Sequence, residues 1–258
     1  MTNPHGSFIW YELMTKDPEA SAAFYADVVG WTVGETQPGE MDYRMLTAPD
    51  GHVGGMLGLT DAMCEGGARS CWLGYFGVDD VDRTVEKITA AGGAVQMPAS
   101  DMPGVGRIAM VTDPQGVPIY VMRGASSETS HAFGRMTMGH VSWNELLTTD
   151  PDAALDFYGS IFGYRKEGAM PMGEMGDYTF ISHGGGEVIG AVMKNPGEAP
   201  AMWGFYFRVP DIEAAKAKVE KGGGKIVFGP QEVPGGEIVL NATDPQGVPF
   251  GLVAPAKQ

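Results

Sequence analysis

The chain has 258 residues, enough for one large or two ordinary domains, and its 43% of hydrophobic residues can form sizeable cores. Its formal net charge of −15 argues against a nucleic-acid partner, because a phosphate-binding surface needs clustered Lys and Arg. The N-terminus lacks the pattern of a signal peptide and no apolar stretch approaches about 18 residues, so we expect no membrane partner and a cytoplasmic location.

The first segment of the chain predicts a β-strand followed by a capped helix. Residues 6–14 alternate in polarity and are rich in aromatic side chains, as in a strand. Asp17 can accept hydrogen bonds from the first turn of the helix, and Pro18 suits the first helical position. Gly30 ends the helix, since glycine tolerates a positive φ. Three short strands follow, at residues 31–35, 43–47 and 52–59.

The same βαβββ plan recurs three more times along the chain. The second unit has strands at 72–78, 94–97, 107–112 and 117–122, with a helix capped by Asp80. Only two cysteines are present, Cys64 and Cys71, and we expect free thiols in a reducing compartment, although their spacing could also close a small disulfide loop.

Residues 125–139 are polar and aperiodic, so we interpret them as a linker between an N-terminal domain, 1–124, and a C-terminal domain, 140–258. In the C-terminal domain, units three and four run over residues 140–194 and 202–253.

Two motifs mark this tandem duplication. One is a helix motif of the form DP-(E/D)-A-x-x-x-FY, at residues 17–25 and again 133 residues later at 150–158. The other is the hairpin motif DPQGVP, at residues 113–118 and letter for letter at 244–249. A lone unit cannot cover both its sheet face and its edges, whereas two units make one sheet. The predicted fold class is α+β, with two curved mixed-sheet cups and helices outside.

This pattern resembles the vicinal oxygen chelate superfamily, which includes glyoxalase I, bleomycin-resistance proteins and extradiol dioxygenases. The resemblance covers nearly the whole chain. Within the superfamily, the chain is most similar to the two-domain bacterial branch labelled glyoxalase-like or hydroxylase, which includes a mycobacterial antigen. Catalytic members of the family hold a divalent metal ion in the cup. Their ligands are His, Gln or Glu, which lie in the first and last strands of each unit.

The resemblance places these ligands seven residues before the helix-capping Asp and four residues after the hairpin glycine. The eight positions here are Trp10, Gly55, Leu73, Tyr120, Trp143, Gly190, Gly204 and Gly251. Only a tyrosine among them offers a donor atom, and one phenol does not make a metal site. We therefore expect no cofactor, with a divalent metal as the alternative if its ligands are displaced.

Strand alternation predicts which side chains point into the cups instead. Glu12 shares a strand face with Trp10, and Glu145 shares one with Trp143. The ligand-binding set is predicted to be Trp10, Tyr75, Tyr120, Trp143 and Tyr206. Aromatic side chains supply contact area for a flat or apolar molecule, and a few polar groups orient it. Alternatively, the two tryptophans fill the space of a metal, and the two glutamates are satisfied structural carboxylates.

Glu12 and Glu145 are the candidate catalytic residues, because burial would raise the pKa of a carboxyl group and suit it to acid–base chemistry. No phosphate-binding loop is predicted, since neither the 184–186 nor the 222–224 glycine run has the Lys-Ser/Thr ending of a P-loop. No nucleophile motif of hydrolases is present either.

Three functions remain open. The first is a metal-free protein, monomeric or homodimeric, that sequesters a small aromatic or apolar molecule. The second is an enzyme of the glyoxalase or dioxygenase type, a lyase, isomerase or oxidoreductase, with displaced metal ligands or with Glu12 or Glu145 as acid or base. The third is an interaction protein whose cups are filled by its own side chains.

Overall fold

The computed structural model describes residues 3–37, 39, 41–197 and 200–256 of the chain. Four βαβββ modules follow one another, which confirms the predicted α+β class and the duplication. Module 1 contains β1 (Phe8–Thr15), α1 (Pro18–Val28), β2 (Thr32–Val33), β3 (Tyr43–Ala48) and β4 (Gly51–Gly58). The short helix α2 (Asp61–Glu65), which the sequence did not predict, precedes module 2. Module 2 contains β5 (Cys71–Gly77), α3 (Val81–Ala90), β6 (Ala94–Met102), β7 (Gly106–Thr112) and β8 (Pro118–Gly124).

The second half of the chain repeats this order of elements. Module 3 contains β9 (Val141–Thr148), α4 (Pro151–Phe162), β10 (Arg165–Pro171), β11 (Asp177–His183) and β12 (Glu187–Lys194). Module 4 contains β13 (Met202–Arg208), α5 (Ile212–Lys221), β14 (Lys225–Val233), β15 (Glu237–Thr243) and β16 (Pro249–Pro255). No helix within the described ranges is long and apolar enough to cross a membrane.

The sixteen strands form two eight-stranded mixed sheets. Their strand orders are β2-β3-β4-β1-β5-β8-β7-β6 and β10-β11-β12-β9-β13-β16-β15-β14. Within each module the first strand pairs in parallel with the last, and the hairpin strands pair antiparallel. The parallel pairs place the first and last strands of a module side by side, which is where the sequence places its candidate side chains.

Local capping explains why the helices begin and end where they do. The Asp17 carboxylate accepts a hydrogen bond from the Ala20 amide at 3.0 Å, and the Asp150 carboxylate accepts one from the Ala153 amide at 3.1 Å. Gly30 has φ +90° just after α1, and Gly163 has φ +80° at the end of α4. These residues confirm the predicted cap and stop signals.

The chain clusters into two compact units, and each unit takes one module from each half. Unit 1 comprises Met1–Ile9, Leu73–Ser130 and Trp143–Trp203, so it holds most of modules 2 and 3. Unit 2 comprises Trp10–Trp72, His131–Ser142 and Gly204–Gln258, so it holds most of modules 1 and 4. The predicted boundaries of the two sequence domains, at residues 124 and 140, remain predictions.

Inside unit 2, the hairpin motif of module 4 binds the helix motif of module 1. The Gln246 carboxamide donates to the Ser21 hydroxyl at 2.8 Å and to the Asp17 carbonyl at 3.2 Å. Its oxygen accepts from the Thr15 hydroxyl and from the Asp17 amide. The Tyr25 hydroxyl donates to Asp244 at 3.3 Å. We call this set of contacts the unit 2 clasp.

Unit 1 contains the equivalent unit 1 clasp, between the hairpin of module 2 and the helix of module 3. The Gln115 carboxamide donates to the Asp150 carbonyl at 2.8 Å, and its oxygen accepts from the Thr149 hydroxyl and the Asp150 amide, each at 2.8 Å. The Tyr158 hydroxyl donates to Asp113 at 3.2 Å. The two repeated motifs of the sequence therefore recognise one another within each unit.

Each clasp continues into a buried aromatic core. The Trp72 indole N–H donates to the Tyr25 hydroxyl at 3.0 Å, and the Trp203 indole N–H donates to the Tyr158 hydroxyl at 3.0 Å. The 222–224 glycine run lies against Phe24 of α1, where a side chain at Gly222 would come within 2.8 Å of the Phe24 ring. This run is thus a packing site between α1 and the end of α5, consistent with the prediction that it is not a phosphate-binding loop.

Candidate functional site

The predicted site residues lie in four clusters, one in each module. Cluster A is Trp10, Glu12, Tyr43 and Gly55 in module 1; cluster B is Tyr75 and Tyr120 in module 2; cluster C is Trp143, Glu145, Tyr178 and Phe180 in module 3; cluster D is Tyr206, Asn241 and Gly251 in module 4. Clusters A and D belong to unit 2, and clusters B and C belong to unit 1.

In cluster A, a tyrosine lies over the glycine at one of the presumed metal-ligand positions. The Trp10 indole N–H donates to the Tyr43 hydroxyl at 2.9 Å. A Cβ atom at Gly55 would fall on that hydroxyl and would lie 2.9 Å from Cε1 of the same ring. The Tyr43 ring thus occupies the space into which any side chain at position 55 would extend.

Glu12 is the buried carboxylate of cluster A. Its side chain is on β1 opposite Gly55 of β4, and the residue is only 3% exposed. The nearby Cys71 thiol is free, and burial, with a smaller contribution from the negative charge of Glu12, raises its pKa to about 11. Cys71 is therefore protonated at neutral pH and is a poor nucleophile.

Cluster C contains a second buried carboxylate, which is hydrogen-bonded to one of its aromatic side chains. The Trp143 indole N–H donates to the Tyr178 hydroxyl at 2.7 Å, and that hydroxyl donates to Oε1 of Glu145, also at 2.7 Å. Glu145 is 8% exposed, whereas Trp143, Tyr178 and Phe180 are partly exposed. The predicted partners Trp143 and Glu145 are thus connected through a tyrosine that the sequence did not single out.

The register of β12 corrects one of the positions assigned from the sequence. Glu145 lies opposite Ala191, as Glu12 lies opposite Gly55, so Ala191 and not Gly190 corresponds to Gly55. The reason is that β11 and β12 are joined by three residues, one more than the two that join β3 and β4. Gly190 instead approaches β9, where a Cβ atom would fall on the backbone of Asn144.

Cluster B consists of two stacked phenols. Tyr75 of β5 and Tyr120 of β8 lie opposite each other in a parallel pair, with ring centroids 4.3 Å apart and planes inclined by 25°. Both residues are buried, at 7% and 6% exposure. The structure therefore brings these two predicted ligand-binding residues together.

In cluster D, a glycine replaces the second phenol. Tyr206 lies opposite Gly251, and a Cβ atom at Gly251 would come within 2.6 Å of Cε1 of the Tyr206 ring. The Tyr206 hydroxyl accepts a hydrogen bond from the Asn241 side-chain amide at 2.9 Å. The ring of Tyr206 thus lies on the glycine, in the space that the Tyr120 side chain takes in cluster B.

Sequence reasoning missed Tyr43, Tyr178, Phe180 and Asn241. A signal for the first two exists, because Tyr43 is the first residue of β3 and Tyr178 the second residue of the equivalent strand β11, but they are 135 residues apart and not 133. Module 3 has two additional residues between its helix motif and this tyrosine. The two tyrosines therefore do not align when the halves of the chain are compared at a constant spacing of 133 residues.

Potential metal ligands are not grouped in the part of the chain that the structure describes, where no three His, Cys, Asp or Glu side chains could hold a metal ion together. His52, which follows the hairpin turn of module 1, is exposed, and its Nδ1 is hydrogen-bonded with the Thr47 hydroxyl at 2.9 Å.

Comparison with known proteins identifies a family. The sequence model of the "Glyoxalase/Bleomycin resistance protein/Dioxygenase superfamily" matches residues 7–121 and again residues 137–252. "Putative glyoxylase CFP32" of Mycobacterium tuberculosis is 31% identical over 250 residues, which are 96% of this chain and 95% of that protein. "Anthracycline biosynthesis protein DnrV" of Streptomyces peucetius is 29% identical over 266 residues, covering 96% and 93% of the two chains.

Among solved structures, the Mn(II)-bound glyoxalase from Novosphingobium aromaticivorans has a similar fold. It superposes with a TM-score of 0.62 at 16% identity, covering 99% of this chain and 83% of that chain. At this level of identity the likeness shows the fold alone.

Proposed function

The chain belongs to the glyoxalase/bleomycin resistance protein/dioxygenase superfamily, and from this premise we propose that it binds a small aromatic or apolar molecule without a metal ion. The observation that carries the proposal is the position of the Tyr43 ring over Gly55. The Tyr43 ring occupies the space into which the side chain of a metal ligand at position 55 would extend.

The side chains at the presumed metal-ligand positions support a binding site without a metal ion. The presumed ligand positions of module 1 carry an indole and a glycine, and those of module 3, with the register corrected, carry Trp143 and Ala191. None of these side chains offers the oxygen, imidazole or thiolate donors that divalent metals take in proteins. The residues present therefore do not fit a resident metal ion, and we derive no chemical step through one.

An aromatic ligand is supported by the side chains that the clusters present. Trp10 and Trp143 are partly exposed, whereas Trp31, Trp72 and Trp203 are buried in the cores of their units. Partly exposed indoles beside phenol hydroxyls offer stacking area together with directional hydrogen bonds. The relative DnrV is named for the biosynthesis of anthracyclines, which are polycyclic aromatic compounds.

Metal analysis and ligand titration test the proposal together. Untagged protein purified without a chelator is incubated with zinc, nickel, manganese and iron, and bound metal is measured by elemental mass spectrometry. We expect far less than one metal ion per chain. A panel of planar aromatic compounds is then titrated while tryptophan fluorescence is recorded, and we expect saturable quenching. Stoichiometric metal, or no saturable quenching by any compound, would overturn the proposal.

Two matched variants show which cluster is responsible for the quenching of tryptophan fluorescence. Trp10→Phe and Trp143→Phe each keep an aromatic ring but remove one reporting indole and one hydrogen bond to a tyrosine. Loss of an indole–ring contact of ~0.5–1.5 kcal/mol weakens binding about 2- to 10-fold. Trp203→Phe is the control, since Trp203 is 3% exposed in the core of unit 1.

A second candidate function is acid–base catalysis at Glu145. The supporting observation is the 2.7 Å hydrogen bond from the Tyr178 hydroxyl to this buried carboxylate, a geometry suited to holding or passing a proton. If a bound compound is also converted, Glu145→Gln should abolish turnover even at saturating concentrations of that compound. Unchanged turnover in that variant would exclude Glu145 as the acid or base.

A further inference from the structure

We infer that cluster C is a binding site for an organic ammonium cation, so that the ligand of module 3 carries a positive charge beside its apolar part. The inference rests on the proposed function, because it specifies the chemistry of a ligand at one of the proposed sites. It is carried by three neighbouring aromatic rings, one of which donates a hydrogen bond to a buried carboxylate.

The three rings form a triangle on one face of the module. The ring centroids of Trp143 and Tyr178 are 6.5 Å apart, those of Trp143 and Phe180 are 6.1 Å apart, and those of Tyr178 and Phe180 are 5.7 Å apart. A cation over the faces of the nearly parallel Trp143 and Tyr178 rings, whose planes are inclined by 4°, can also lie within about 6 Å of the Phe180 centroid, and 6 Å is the range in which a ring face attracts a cation. All three side chains are partly exposed, so a ligand can reach the triangle.

A carboxylate adjoins the triangle. Glu145 lies two residues after Trp143 on β9 and therefore on the same strand face, and its Oε1 accepts a hydrogen bond from the Tyr178 hydroxyl. Glu145 is more than nine-tenths buried. A negative charge held beside aromatic rings in a partly desolvated place attracts an ammonium group more strongly than an exposed carboxylate would. The net charge of −15 adds long-range attraction for cations.

Cluster A differs from cluster C at the position of one of the three aromatic rings. Phe180 lies opposite Ala191, and the corresponding residue opposite Gly55 in module 1 is Met45. At this register position module 1 thus has a thioether where module 3 has a phenyl ring. Phe180→Met is therefore a matched substitution, because it gives cluster C the residue type that module 1 has at the equivalent position.

The experiment compares two probes of the same shape, choline and 3,3-dimethylbutan-1-ol, which differ in the charge of the quaternary centre. Each is titrated into the full chain while the indole N–H signal of Trp143 is followed by NMR. We expect choline to bind about tenfold or more tightly than the neutral alcohol, because only the charged probe is attracted by the Glu145 carboxylate and by the ring faces. Glu145→Gln should remove most of that preference, and Phe180→Met should weaken choline binding about 2- to 5-fold.

Glu187→Gln is the control, because it removes the same charge from an exposed position in the same module and should leave choline binding unchanged. Thermal unfolding checks that each variant is folded. Equal binding of the two probes, or full choline binding in Glu145→Gln, would overturn the ammonium site but leave the proposed aromatic or apolar ligand standing. If choline does not shift the Trp143 signal at all, the ammonium site is likewise wrong, and the separate aromatic panel decides the proposed function.

Discussion

Gly55 and Ala191 occupy corresponding positions and differ by one methyl group. At Gly55 the space of that methyl is taken by the Tyr43 hydroxyl, whereas at Ala191 the methyl is present and the hydroxyl of the corresponding Tyr178 donates to Glu145. A small residue next to a tyrosine therefore helps to decide how closely the phenol ring can approach the strand in each module.

We expect Gly55→Ala to displace the Tyr43 ring and break its hydrogen bond with Trp10, destabilising the protein by about 1–3 kcal/mol as an overpacking substitution. Urea unfolding of a double-mutant cycle measures this. In the Tyr43→Ala background the added methyl has room, so Gly55→Ala should cost clearly less there. Additive effects would show that the ring and the methyl do not compete.

Gly190→Ala is the contrasting substitution in module 3. Its methyl group would meet the backbone of Asn144 on the paired strand, which cannot rotate away as a side chain can. It should therefore destabilise the protein whether or not Tyr178 is present. Rescue by Tyr178→Ala would contradict the register described for β9 and β12.

Asp244 gives a pH-dependent prediction. Burial raises the pKa of this carboxyl above its usual value, although backbone amide hydrogen bonds partly oppose the shift. A raised pKa in the folded state contributes stability below the unfolded pKa of about 3.9, and that contribution is lost as pH rises through the folded-state pKa. Relative to Asp244→Asn, whose side chain stays neutral, the wild type should thus lose stability as the pH rises from about 4 through the raised folded-state pKa.

Urea midpoints of wild type and Asp244→Asn at several pH values check this. Asp244→Ala is the control, because it also removes the acceptor of the Gln246 and Val248 amides, both at 2.9 Å, and should be the less stable variant at every pH. A constant difference between wild type and Asp244→Asn would mean that burial does not shift the pKa of Asp244.

At the scale of elements, the hairpin motif of one module forms hydrogen bonds with the start of a helix in another module. The Gln246 side chain bonds Thr15, Asp17 and Ser21 around the start of α1. It therefore satisfies backbone groups at a strand end and a helix start that would otherwise need water or other partners. This role explains why the motif is repeated letter for letter although it contributes no side chain to clusters A to D.

Gln246→Ala should destabilise the protein by about 1–3 kcal/mol, since it leaves several partly buried groups without their partner. Gln231→Ala is the matched control, because Gln231 is exposed on β14 and its amide donates to the carbonyl of the adjacent residue, Glu232. Thermal unfolding of both variants tests the clasp. Equal, small effects would show that the carboxamide contacts do not contribute to stability.

At the scale of the whole molecule, each compact unit combines chain from before and after the linker. Cleavage of the linker should therefore leave the two fragments associated. A protease site inserted between Ser127 and Glu128, in an exposed stretch, allows the intact folded chain to be cut. We expect both fragments to elute together in size-exclusion chromatography, and separation of the fragments would contradict the composition of the units.

The association of the fragments should depend on the clasps. In a Gln115→Ala and Gln246→Ala double variant, cleaved fragments should separate at a lower urea concentration than cleaved wild type, because both clasps connect modules from different halves. Cleaved Gln231→Ala should behave as wild type.

The sequence by itself determined the fold, because its signals are local: strand alternation, helix caps at Asp17 and Asp150, glycine stops and a repeat of whole units. It also identified Trp143 and Glu145 as neighbours, since strand alternation alone places residues i and i+2 on one face. Only the tertiary structure decided that hairpin and helix motifs bind each other and that Tyr178 connects Trp143 with Glu145. Such contacts join residues distant in sequence, and a loop longer by one residue shifts their register without changing any local pattern.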